Sequence, residues 1–169
     1  MRPQAAATVL ARCIEFDLQL GAESDLNGLL QRACCSAQGL CMARYAAAAA
    51  IDQRDEVAAA FAACGLPSTL NAAAFAPSRG LLAELLRDGL VLRTEVRAGD
   101  SMRLGLPAAH PPVRSFLAVP LASEGRPWGW LYVADKRGPG GFSEPDEQVA
   151  LTIAGQVVRC RASGGLRLK

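Results

Sequence analysis

The single histidine of this chain opens the run His110-Pro111-Pro112-Val113-Arg114-Ser115-Phe116-Leu117-Ala118-Val119-Pro120-Leu121. A second apolar run follows, Trp128-Gly129-Trp130-Leu131-Tyr132-Val133-Ala134, closed by Asp135-Lys136. Imidazole changes charge near neutrality, and its neutral form is a common metal ligand. The Pro-Pro pair fixes φ at both its positions and pushes the residue before it into extended geometry, so His110 sits on a stiff approach to a strand. Two roles fit that placement. His110 either ligates something, or it enters the strand with its ring bonded to a backbone carbonyl. Along 129–134, strand alternation puts Trp130, Tyr132 and Ala134 on one face and Leu131 and Val133 on the other. If the aliphatic pair lies under helices, Tyr132 points into a loop-side cavity.

Other chemistries lack their residues. No P-loop, dinucleotide fingerprint, nucleophile elbow or His-Glu-x-x-His motif occurs. One histidine cannot build a two-histidine metal triad or a spaced Ser-His-Asp set. The chain is therefore not expected to be an enzyme. Six cysteines (Cys13, Cys34, Cys35, Cys41, Cys64, Cys160) form no Cys-x-x-Cys pair. They read as small, buried, reduced thiols, with a redox-sensing exposed thiol as the alternative.

Positioning these groups requires one core, and 169 residues suffice for one. The net charge of +2 and the scattered basic residues argue against a nucleic-acid surface. No apolar run reaches the roughly 18 residues of a membrane span, and Arg12 and Glu15 interrupt the first apolar segment, so neither a signal peptide nor a membrane span is expected and a cytoplasmic location is. Helical spacing marks Thr8–Leu20, and again Leu26, Leu29, Leu30, Ala33 and Ala37, capped by Ser24 and stopped by Gly39. Tyr45–Ile51 and Glu56–Ala63 read as strands, Leu81–Arg87 as a short helix and Leu90–Thr94 as an edge strand. Glu95–Ala109 reads as a long loop. Ser115–Leu121 and Gly129–Ala134 are strands joined by the loop 123–127. Ser143 starts the last helix in a capping box with Asp146. The expected fold class is α+β: a sandwich with a central antiparallel sheet, terminal helices on one face, and the short helix and loops on the other. The expected domain layout is an amino-terminal helix over 1–22, the domain over 23–162 and a frayed tail over 163–169.

This layout, with Arg44-Tyr45-Ala46, Arg114 to Leu121 and Gly129-Trp130-Leu131-Tyr132-Val133, resembles a GAF domain from about Asp25 to Arg159. Asp135-Lys136, Phe142 and Asp146-Glu147 are similar to the Asn-Lys…Phe…Asp-Glu motif of cyclic-nucleotide-binding GAF domains, with aspartate for asparagine. The Lys136–Asp146 pair is expected to be exposed and worth about 0–1 kcal/mol. His110 to Pro120 is closer to the His-Pro-Pro-Met-Arg-(Ser/Thr)-Phe-Leu-Gly-Val-Pro segment of GAF domains in dormancy-type, haem-sensing bacterial histidine kinases.

The resemblance implies a small-molecule sensor module of bacterial signalling, with haem as candidate cofactor. His110 would be the proximal iron ligand and Tyr132 the distal group. Phe116 and Trp130 would line the pocket, and Met102 and Leu104 would form a lid. The alanines of 46–50 would leave room on that side. A homodimer through the terminal helices (Val9–Cys13 and Val149-Ile153-Val157) and a separate signalling partner are expected. The alternatives are a ligand-free dimerisation module, or a cyclic nucleotide or other organic ligand met by Arg79, Arg93 or Arg103.

Overall fold

The computed structural model describes residues 25–52, 57–71, 75, 79–97 and 101–164. The expected amino-terminal helix, Ser24 and the last five residues lie outside these. Helix α1 (Leu26–Leu40) begins at Asp25, whose carboxylate accepts the Gly28 amide at 2.9 Å, so Asp25 is the cap. The helix also runs through Gly39 to Leu40, and the chain reverses at Met42, a left-handed residue with φ 52°. Strands β1 (Ala43–Asp52) and β2 (Val57–Cys64) follow, then helix α2 (Leu81–Asp88), strand β3 (Leu92–Glu95) and the single turn α3 (Ser101–Leu104). Strands β4 (Ser115–Ser123) and β5 (Arg126–Lys136) precede helix α4 (Glu144–Gly164). Ser163 and Gly164, expected in a frayed tail, thus belong to α4.

The strands form one antiparallel sheet in the order β2-β1-β5-β4-β3. The β4–β5 connection is shorter than expected: only Glu124 and Gly125 lie outside the strands, with φ of 52° and 74°. Two positive φ values make the turn that matches the right-handed twist of a hairpin. Pro120 lies inside β4 beyond Ala118, where the β3 pairing ends, and so in a stretch where β4 is an edge and a missing N–H is tolerated.

Alternation then divides the core in two. Leu131 and Val133 face the α1/α4 layer with Leu117, Val119 and the alanines 46, 48 and 50. Trp130, Tyr132 and Ala134 face the opposite layer with Phe116, Ala47 and Ala49. Ile153 and Val157 of α4 are buried against the sheet, so the stripe expected to form a dimer seam serves the domain's own core.

Two ionic ties fix strand ends. The Lys136 ammonium reaches both Asp146 oxygens at 2.8 and 2.7 Å and the Cys41 carbonyl at 3.2 Å. The two side chains are 18% and 11% exposed, which corrects the expectation of a surface pair. Asp146 also accepts the Ser143 amide at 2.7 Å, as a capping box requires. Asp135, left-handed and buried, sits between Arg44 at 3.0 Å and Arg114 at 3.1 Å.

The cysteines depart from their expected uniformity. Cys34 and Cys41 are buried thiols, but Cys35 and Cys64 form a disulfide between α1 and β2. Sequence spacing carries no sign of it, because the pairing depends on how a helix face meets a strand end.

Candidate functional site

The inner face of the sheet is paved with aromatic rings. Trp130 and Tyr132, two residues apart on β5, stack with centroids 5.4 Å apart, and Phe116 lies 5.1 Å from Tyr132 on the neighbouring strand. Phe75, from the segment between β2 and α2, covers both at 5.9 and 6.3 Å and stacks on Phe61 at 4.8 Å. Such offset and tilted pairs are the favoured ring geometries.

His110 reaches this layer over the short helix. Gly80 and Gly105, both with positive φ, stand so close that a Cβ on either would strike the other segment's backbone, which seats α3 against the start of α2. Leu104 and Leu106 are thereby buried, and the His110 amide closes a turn onto the Pro107 carbonyl at 2.9 Å. The His110 ring is 5% exposed. Its Nδ1 is 2.7 Å from the Pro111 carbonyl, and its Nε2 is 2.9 Å from the Tyr132 hydroxyl. A carbonyl only accepts, so partner chemistry assigns the proton to Nδ1; Tyr132 O–H then donates to Nε2. Burial pushes the imidazole below its ordinary 6.5, against the opposing effect of the Pro111 bond. Burial, with a smaller effect from Cys34, lifts the Tyr132 phenol well above 10. Both shifts favour a neutral ring accepting from an un-ionised phenol.

One polar atom in this layer is unsatisfied. Trp130 is 0% exposed, and its indole Nε1 has no hydrogen-bond partner among the described residues. A buried donor left unpaired costs about 1–3 kcal/mol. Among the described residues, no lysine or arginine is fully buried. Arg93, a sequence candidate, turns to the helix layer, where its Nε meets Glu147 at 2.8 Å. Arg79 and Arg103 are exposed.

Of the expected site residues, His110, Tyr132, Trp130, Phe116 and Leu104 converge here. Met102 does not: it is 75% exposed, because residues two apart on a helix point roughly opposite ways, and Leu104 takes the inward position. Tyr45, Phe61 and Phe75 were missed. Tyr45, whose ring edge meets His110 at 5.6 Å, was within reach, since it shares the inner parity of Ala47 and Ala49. A separate surface cleft of about 630 Å³ lies by the Gly138–Gly141 loop, but its Lys136 and Arg114 are already paired with Asp146 and Asp135.

The haem expectation meets a geometric conflict. The tautomer suits a metal, with Nε2 as the lone pair and a carbonyl orienting Nδ1. A macrocycle between a proximal imidazole and a distal phenol, however, needs a bond of about 2 Å and a further contact gap of about 3.5 Å. His110 and Tyr132 are in direct contact at 2.9 Å. The residues as arranged do not fit haem held between them.

Comparison with known proteins agrees with this architecture. A GAF domain from an Acinetobacter phosphoenolpyruvate-protein phosphotransferase superposes with a TM-score of 0.73 at 20% identity, over 92% of this chain and 93% of that one. Free methionine-R-sulfoxide reductase from Neisseria meningitidis, in complex with its substrate, gives 0.74 at 19% identity, over 98% and 94%. The second GAF domain of DevS from Mycobacterium smegmatis gives 0.63 at 19%, over 83% and 96%. The family model for the GAF domain matches residues 23–160. With that match, a five-stranded antiparallel sheet and its helices, the chain belongs to the GAF domain family.

Proposed function

We propose that this domain senses a small, neutral, flat organic molecule bound at the inner face of its sheet. The observation that carries the reading is the buried, unpartnered Trp130 indole N–H beside the His110–Tyr132 pair. A ligand oxygen or aromatic nitrogen accepting from Nε1 would recover the cost of that orphan. The Tyr132 oxygen, its proton already given to His110, can still accept from the ligand. The rings of Phe75, Phe116 and Tyr45 favour a planar body. A cyclic nucleotide would bring a phosphate to a face where, among the described residues, no lysine or arginine is buried to meet it.

A second reading has its own support. Phe75, Phe116, Trp130 and Tyr132 are all at or below 1% exposure, which suits a ligand-free interaction module filled by its own side chains. One experiment separates the readings. Indole N–H resonances of the purified protein are followed by NMR during titration with nicotinamide, lumiflavin, cyclic GMP and hemin, using Trp130→Phe to assign the Trp130 signal. A saturable shift of that signal with a neutral planar probe is the expected result. A Soret band that disappears in His110→Ala would instead assign haem. No shift with any probe would overturn ligand sensing in favour of the interaction module.

A further inference from the structure

Edge strand β2 is fastened to α1 by three side chains spaced one helical turn apart. Asn27 Oδ1 accepts the Phe61 amide at 3.2 Å, and Gln31 Nε2 donates to the Ala63 carbonyl at 3.2 Å. Cys35 is bonded to Cys64, with a Cα–Cα distance of 5.8 Å that suits a disulfide. Positions i, i+4 and i+8 share one helix face. That face satisfies backbone groups that an edge strand otherwise leaves open.

Cys35 is an exposed residue and Cys64 a half-buried one. Gln31 Nε2 lies 3.1 Å from Cys64 Sγ and 3.4 Å from Cys35 Sγ. The neighbouring Cys34 is different in kind. It is fully buried, its Sγ donates to the Ala62 carbonyl at 3.5 Å, and burial pushes its thiol far up. It stays protonated and cannot attack the bridge.

We propose that Cys35–Cys64 is a reversible redox site, opened by a dithiol and closed by a disulfide-bearing oxidant, that controls how firmly β2 is held to α1. In opening, one thiolate of the dithiol attacks the sulfur of Cys35, the more exposed of the two residues. The S–S electron pair leaves on Cys64, whose thiolate the Gln31 N–H stabilises. The second thiolate of the dithiol then attacks the mixed disulfide and releases Cys35 as a thiolate. Two electrons have passed to the protein, the dithiol has become a cyclic disulfide, and the two cysteine thiolates take up protons from water. Closure is the same exchange in reverse, with a cyclic disulfide as the electron acceptor. Because β2 carries Phe61, which stacks on Phe75, a loosened strand alters one wall of the inner aromatic layer. The redox site does not depend on the ligand reading, and either can fail alone.

The test uses the full chain with dithiothreitol and with its cyclic oxidised form. Native-state iodoacetamide labelling is read by peptide mass spectrometry, and amide hydrogen exchange is followed in parallel. Reduction should label Cys35 and Cys64 together while Cys34 and Cys41 stay protected. Exchange over 57–64 should rise about tenfold or more, and oxidised dithiothreitol should reverse both changes. Gln31→Leu should slow opening several-fold. The proposal is overturned if the folded protein resists dithiothreitol, if the opened pair cannot be closed again, or if exchange in β2 is the same in both states.

Discussion

Removing the Asp146 carboxylate, in Asp146→Ala, tests the tie between β5 and α4. Asp146 holds the Lys136 ammonium through both oxygens, at 2.8 and 2.7 Å, and accepts the Ser143 amide and hydroxyl at 2.7 and 2.8 Å. Losing the helix-start bond alone costs about 1 kcal/mol. The larger effect is on the lysine. With its side chain 18% exposed, among the described residues it keeps the Cys41 carbonyl at 3.2 Å and the Phe142 ring at 5.5 Å. Stranding a buried charge costs about 3–5 kcal/mol, and partial access to water puts this site at the lower end. The expected total is about 3–4 kcal/mol. Lys136→Met should cost less, about 1–3 kcal/mol, since the carboxylate retains the Ser143 donors. Urea unfolding of both single variants and the double variant completes the cycle, with a coupling of about 2 kcal/mol expected. A loss below about 1 kcal/mol for Asp146→Ala with no coupling would refute the argument, because that is how exposed pairs behave.

The His110 environment sets a pH dependence. Its folded pKa lies below the unfolded 6.5, so the unfolded chain binds the extra proton in the window between them. The contribution is complete above 6.5 and is lost as pH falls through that window. The Tm should fall on moving from about pH 7.5 to 5.5, and His110→Gln should flatten that part of the profile; an unchanged slope would contradict the buried neutral ring. Gly129→Ala should destabilise by about 2–3 kcal/mol in urea, because a Cβ there collides with the Ala49 carbonyl and forces β5 from β1.

Much of the positioning was legible because β5 lies in mid-sheet with both faces buried, so a period of two suffices to separate Tyr132 from Val133. The same logic, carried one residue before the alanine run, reaches Tyr45. Phe75 is different: its segment has no periodicity, and only tertiary packing brings it over Trp130. The bridge between Cys35 and Cys64 depends on the seating of α1 against β2, which neither element encodes alone. The lid failed on helical geometry, since a single turn cannot aim Met102 and Leu104 the same way. The motif supplies imidazole and phenol but not the distance between them, which packing sets at 2.9 Å here.

Ala47 and Ala49 form the floor beneath Tyr132 and Trp130, with which they pair directly across strands. Each carries a single methyl group, so enlargement to valine would raise that floor in small increments without changing a donor, an acceptor or a ring. The domain therefore has a dimensional adjustment separate from its chemical one. On the proposed ligand reading, related sequences would diverge in the size of molecule they admit by altering these two positions while keeping the same polar groups.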